Sequence, residues 1–189
     1  MPSQDELVEL WRYTYARSSL IETRIYCETL LVNGDKFPDE IKKALLVSIV
    51  VSYATPFTKA QVSKNKRIIP LDERLVPQRY KKIHSEFLIM RNRVFGHKDA
   101  TVGPSFGPVN KVIIHVAPTF LDVHTASPFE LTKSALQETI QLCRELITIA
   151  DQHVSKFVTM HFNGGKIPEL GIYEIDIEAA SENWLVKKL

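Results

Sequence analysis

Apolar residues recur at Leu7, Leu10, Trp11, Ile21, Ile25 and Leu30 with no Gly or Pro between them. That pattern predicts a long helix over 4–32. Ser3 stands where an N-cap is needed, and Glu6, three positions on, completes a capping box. "NGDKFPDE" reads as a turn, with Pro38 suited to the first position of a second helix over about 38–54. That helix is apolar on nearly every face (Ile41, Ala44, Leu45, Leu46, Val47, Ile49, Val50, Val51), as expected in the middle of a bundle. Pro56 ends or kinks it. "TKAQVSKNKRIIPLDERLVP" is a polar, basic connection, longer than most loops. The third helix begins near Pro77. Its apolar residues Tyr80, Ile83, Phe87, Met90 and Val94 are spaced 3, 4, 3 and 4 apart, a narrow packing seam, and Gly96 stops it.

Beyond "VGPSFGP" the period changes. Val112, Ile113, Ile114, Val116, Phe120, Leu121 and Val123 around Pro118 predict a short β-hairpin within 109–125. A last long helix is expected over about 128–158, striped by Leu136, Ile140, Cys143, Ile147, Val154 and Phe157. "GIYEIDIE" is a candidate further strand within a C-terminal extension of about 163–189. The expected architecture is one domain over 1–189, mainly all-α. It is a four-helix up-down bundle with a small β-hairpin inserted between helices 3 and 4.

Composition adds little to this picture and charge adds more. With 189 residues, 44% hydrophobic and 24% charged, the chain can bury a core without disulfides or metals. Cys27 and Cys143 fall in apolar helical patterns and read as small buried hydrophobes in a reducing compartment. The N-terminus is charged from residue 5 and lacks an apolar signal core, and no apolar run is long enough to span a bilayer. A cytoplasmic protein, not associated with a membrane, is expected. The net charge of +2 conceals a basic section: residues 59–98 carry eleven Lys or Arg against three acids, leaving the remainder net acidic. Such a section suits an anionic partner.

The candidate chemistry lies where that section ends, in "RNRVFGHKD", residues 91–99. Arg91 and His97 are six positions apart, which on an unbroken α-helix points them to different faces. Gly96 can break the ladder and let His97 swing back toward Arg91 or Asn92. A guanidinium is a rigid fork for phosphate, an imidazole titrates near neutrality, and an amide can position either without adding charge. Taken bare, the same residues also fit a helix C-terminus, where cations meet free carbonyls.

The stretch resembles the signature of the HEPN superfamily (higher eukaryotes and prokaryotes nucleotide-binding domains). In that signature an Arg is followed directly by a polar residue and, four to six positions beyond the Arg, by a His. Arg91, Asn92 and His97 fit, and Asp99 resembles the H-x-D ending of abortive-infection-type members. The motif covers nine residues; the helical pattern over 4–158 is similar to the family's fold, and the β-insertion is not part of its core. The resemblance implies metal-independent RNA cleavage by attack of a ribose 2′-OH, at a site formed by two copies of the motif across a homodimer. Arg91, Asn92 and His97 would be catalytic, and Arg93, Lys98, Asp99, Lys81 and Lys82 would contact substrate. It implies RNA or a nucleotide as ligand, a toxin–antitoxin or phage-defence setting, and an antitoxin or nucleotidyltransferase as a further partner. Some relatives have lost activity and act as binding modules for nucleotide, RNA or protein, so that alternative stays open.

No cofactor is expected. His84, His115, His124, His153 and His161 show no metal-ligand spacing, although His115 and His124 could face each other across the ribbon. No Gly-rich phosphate loop is present.

Overall fold

The computed structural model describes residues 2–59, 70–92 and 131–161 with their side chains, and the backbone alone at 60–63, 66–68, 93–95, 112–117, 120–125, 162–163, 173–174 and 187–188. The fold is mostly helical. Its main elements are α1 (Gln4–Asn33), α2 (Asp39–Ala54), α3 (Lys81–Ile89) and α4 (Lys133–Val158).

α1 starts as the sequence predicts. Ser3 Oγ accepts from the Glu6 backbone N–H, and the Glu6 carboxylate accepts from Ser3 N–H at 2.6 Å. Thr132 caps α4 in the same manner through the N–H of Ala135. A single 3₁₀ turn, Gly34–Lys36, joins α1 to α2, so the two lie antiparallel as neighbours. α1 and α4 also run antiparallel: Glu6 meets His161, Glu9 meets His153, Arg17 meets Asp151 and Glu28 meets Arg144. These exposed pairs set register more than stability.

All four helices feed one core. Tyr13, Ala16, Leu20 and Cys27 of α1 pack with Leu46, Ile49, Val50 and Tyr53 of α2, Ile83 and Phe87 of α3, and Leu136, Ile140, Cys143 and Leu146 of α4. The seam predicted for the third helix is present: Tyr80, Ile83, Phe87 and Met90 are all buried. Cys27 and Cys143 are buried free thiols, and burial pushes Cys27 up to about 12. As thiols that hold their protons they act as hydrophobes.

Two expectations change. α2 is not enclosed on all sides, because Ile41, Val47 and Val51 are exposed along one face. A run of apolar residues hides helical direction, and only the neighbours reveal which side is covered. The connection after α2 is not a plain loop either. It holds a 3₁₀ turn at Thr55–Phe57, an antiparallel backbone pairing of Ala60–Ser63 with Lys66–Ile68, and 3₁₀ turns at Glu73–Leu75 and Gln78–Tyr80. Pro56, Phe57, Leu71 and Val76 are buried, so both ends of this segment are pinned to the core. The third helix therefore enters through a 3₁₀ turn and becomes α-helical only at Lys81. Further on, the backbone of Val112–Ala117 runs antiparallel to that of Phe120–Thr125.

Candidate functional site

α3 loosens before it ends. From Met90 to Phe95 the backbone forms a π-turn, which takes in the first five residues of the predicted site region. Hydrogen bonds from i to i+5 widen the turn, and such turns recur at functional sites. Met90 stays fully buried and anchors the start of the turn in the core. Arg91 and Asn92, the next two residues, are exposed.

Adjacent residues on an α-helix point about 100° apart and do not normally meet. Here they do: Arg91 Nη1 donates to Asn92 Oδ1 at 2.9 Å. The contact orients both groups. Among the described residues, the guanidinium keeps most of its N–H donors and the Asn92 amide nitrogen keeps its own. Two exposed donor groups, one cationic, thus stand side by side, and such an edge suits phosphate oxygens.

Arg93 is described by its backbone only, within the π-turn, and Gly96, His97, Lys98 and Asp99 lie outside the described residues. The structure therefore brings Arg91 and Asn92 together and leaves His97, Arg93, Lys98 and Asp99 as sequence expectations. His115 and His124 are described by backbone alone, opposite Asp122 and Ile113 respectively, and so are not register partners of each other.

The basic section is less free than its composition suggests. Lys81 Nζ donates to the backbone carbonyl of Glu73. Arg79 pairs with Glu145 and lies over the Tyr80 ring, and Arg74 bonds Asp72 at 2.5 Å. The Lys81 and Arg79 contacts hold the 3₁₀ segment against α3 and α4, and the Arg74 pair is internal to it. Lys81, expected as a substrate contact, makes this local contact as well, and Lys82, the next residue, is exposed.

Sequence reasoning missed a buried polar relay next to this segment. His84 of α3 is 1% exposed, and its Nδ1 lies 2.9 Å from the Tyr53 hydroxyl of α2. Its Nε2 faces Glu73 Oε2 at 3.9 Å and makes no hydrogen bond. A proton on Nε2 faces the carboxylate favourably, so Tyr53 donates and Nδ1 accepts. Burial raises the Tyr53 pKa well above its usual value, which keeps the phenol a donor. Burial also lowers the proton affinity of His84, with Glu73 opposing and Lys81 reinforcing. The only sequence signal was a histidine beside an apolar seam, which by itself does not select a partner.

No family model matches this chain, and neither the curated proteins nor the solved structures provide a match. Fold and site together define a mostly helical protein with an exposed Arg–Asn pair on a π-turn. Among the described residues, no helix is long and apolar enough to cross a membrane.

Proposed function

We propose that the chain is a HEPN-like endoribonuclease of toxin or phage-defence type that cleaves RNA without needing a metal. Arg91 and Asn92 bind the scissile phosphate, and His97 moves the proton. The observation that supports this reading is the hydrogen-bonded, solvent-facing Arg91–Asn92 pair on a π-turn at the end of the third main helix. In this reading the expected insertion over 109–125 is an elaboration of the bundle outside its core.

In the proposed reaction His97 takes the proton of a ribose 2′-OH. The oxygen bonds the adjacent phosphorus, the bond to the 5′-oxygen breaks, and an imidazolium returns a proton to that leaving oxygen. A cyclic phosphate and a 5′-OH result, so atoms and charge balance. A homodimer presents two copies of His97, which separates base from acid. Arg91 opposes the charge that develops on the phosphorane, where a fixed guanidinium has most effect.

RNA cleavage in chelator-containing buffer tests this. Wild type should produce cyclic-phosphate ends, and Arg91→Ala and His97→Ala should each slow the reaction by roughly 10²-fold or more. Equal rates in all three proteins would remove the proposal. Salt-sensitive RNA binding with no cleavage by wild type would instead favour the binding-module reading.

A further inference from the structure

α1 carries two stripes along its length. One is the core stripe, in which Tyr13, Ala16, Leu20, Thr23 and Cys27 are buried. On the outer side runs another: Val8, Trp11, Tyr15, Ser18, Glu22, Ile25, Thr29 and Val32, spaced 3, 4, 3, 4, 3, 4 and 3. That is the a/d seam of a heptad repeat, and it covers about 36 Å of helix at about 1.5 Å per residue.

The bundle leaves this seam uncovered. Tyr15 is 42% exposed, Ile25 47% and Val32 74%. Trp11 stacks on Tyr15 with ring centroids 4.7 Å apart and planes within 12°, so the two rings form one apolar plate. α1 makes its ion pairs with α4 through Glu9, Arg17 and Glu28, and none of these lies on the seam. A helix of a bundle normally turns polar residues outward. A long apolar seam on the outer side marks a contact surface.

The order of residues along the seam selects the occupant. Laid antiparallel on a second α1 in full register, Val8 faces Val32, Trp11 faces Thr29, Tyr15 faces Ile25 and Ser18 faces Glu22. Each large ring meets a smaller side chain, which lets the layers interdigitate. The one acid of the seam meets a hydroxyl that can donate to it. At the edges Arg12 comes beside Tyr26, Thr14 beside Glu28 and Ile21 beside its own copy, so no like charges meet. A parallel pair would set Glu22 against Glu22 in the middle of the seam, and a shift of one heptad would set it against Trp11 or Ile25.

We infer that the outer side of α1 is a self-association surface, on which a second copy of this chain docks its own α1 antiparallel. With eight seam residues a side, against about 20–30 in a standard interface, the association is weak, with a dissociation constant in the micromolar range. Arg91 and His97 take no part in it, so loss of RNA cleavage leaves it standing.

Sedimentation equilibrium of the whole chain from about 1 to about 300 µM tests this. Wild type should pass from monomer to dimer across that range. Tyr15→Lys and Ile25→Lys each place an ammonium in the seam, and each should weaken dimerisation by roughly tenfold or more with unchanged circular dichroism. Glu22→Leu makes the central layer more apolar and should tighten the dimer by roughly tenfold or more; it adds no charge, and so serves if a lysine variant fails to fold. Under mild oxidation a mixture of Val8→Cys and Val32→Cys chains should form a disulfide-linked dimer that neither variant forms alone, since Cys27 and Cys143 are buried. A wild type that stays monomeric throughout, as when another partner covers the seam, would overturn the inference. So would a dimer that all three seam variants leave unchanged, or cross-linking of either cysteine variant alone in preference to the mixture.

Discussion

His84 is the residue whose chemistry the fold changes most. In water its imidazole would be half-protonated near pH 6.5. In the folded chain burial holds it neutral, with Tyr53 as its donor. The sign of the pH effect follows. The unfolded chain binds the proton more readily, so stability is complete above about pH 6.5 and is lost as pH falls through the window below that value. Urea unfolding at pH 7.5 and pH 5 should show a larger loss for wild type than for His84→Gln. An equal loss would place the acid sensitivity elsewhere, for instance at His153, whose imidazole burial also holds below its ordinary value. Residue identity made Arg91 and Asn92 candidates. It could not say that their side chains touch, because α-helical geometry argues against contact between neighbours, and only the π-turn allows it.

Among the elements, α2 is the instructive case. Its sequence is apolar almost throughout, which concealed the distinction between Ile49, fully buried, and Val47, exposed. Ile49→Ala should cost about 2–5 kcal/mol. Val47→Gln should stay within about 0.5 kcal/mol of wild type, and chemical denaturation distinguishes the two. α1 was better announced: Ser3 and Glu6 signalled its start, and the capping box is present. Ser3→Ala should cost about 1 kcal/mol, read by the same chemical denaturation. The third helix was legible through its seam, but its boundaries were not. The 3₁₀ entry at Gln78–Tyr80 and the π-turn at Met90–Phe95 depend on where the core places Tyr80 and Met90, and no local propensity encodes that.

At the scale of the whole molecule, the basic section and the bundle belong together. If RNA lies along α3, Lys82→Ala should reduce the log–log salt slope of binding by about 0.7, as expected for one phosphate contact on a single strand. Arg79→Ala should leave that slope nearly unchanged and act on stability, since Arg79 is engaged with Glu145. Fluorescence titrations at several salt concentrations check both. The sequence by itself determined that the chain is mostly helical, that four helices carry the core, where the first begins, and that the thiols are buried. These follow from periodicity and capping, which are local. Only the tertiary structure decided which face of α2 is open, which cations are tethered, that Tyr53 meets His84, and that Glu6 faces His161. Tyr53 and His84 are 31 positions apart, Arg79 meets Glu145 across 66, and the open face of α2 depends on which helices pack beside it. Helix periodicity states which residues share a side, and the fold alone states what that side meets.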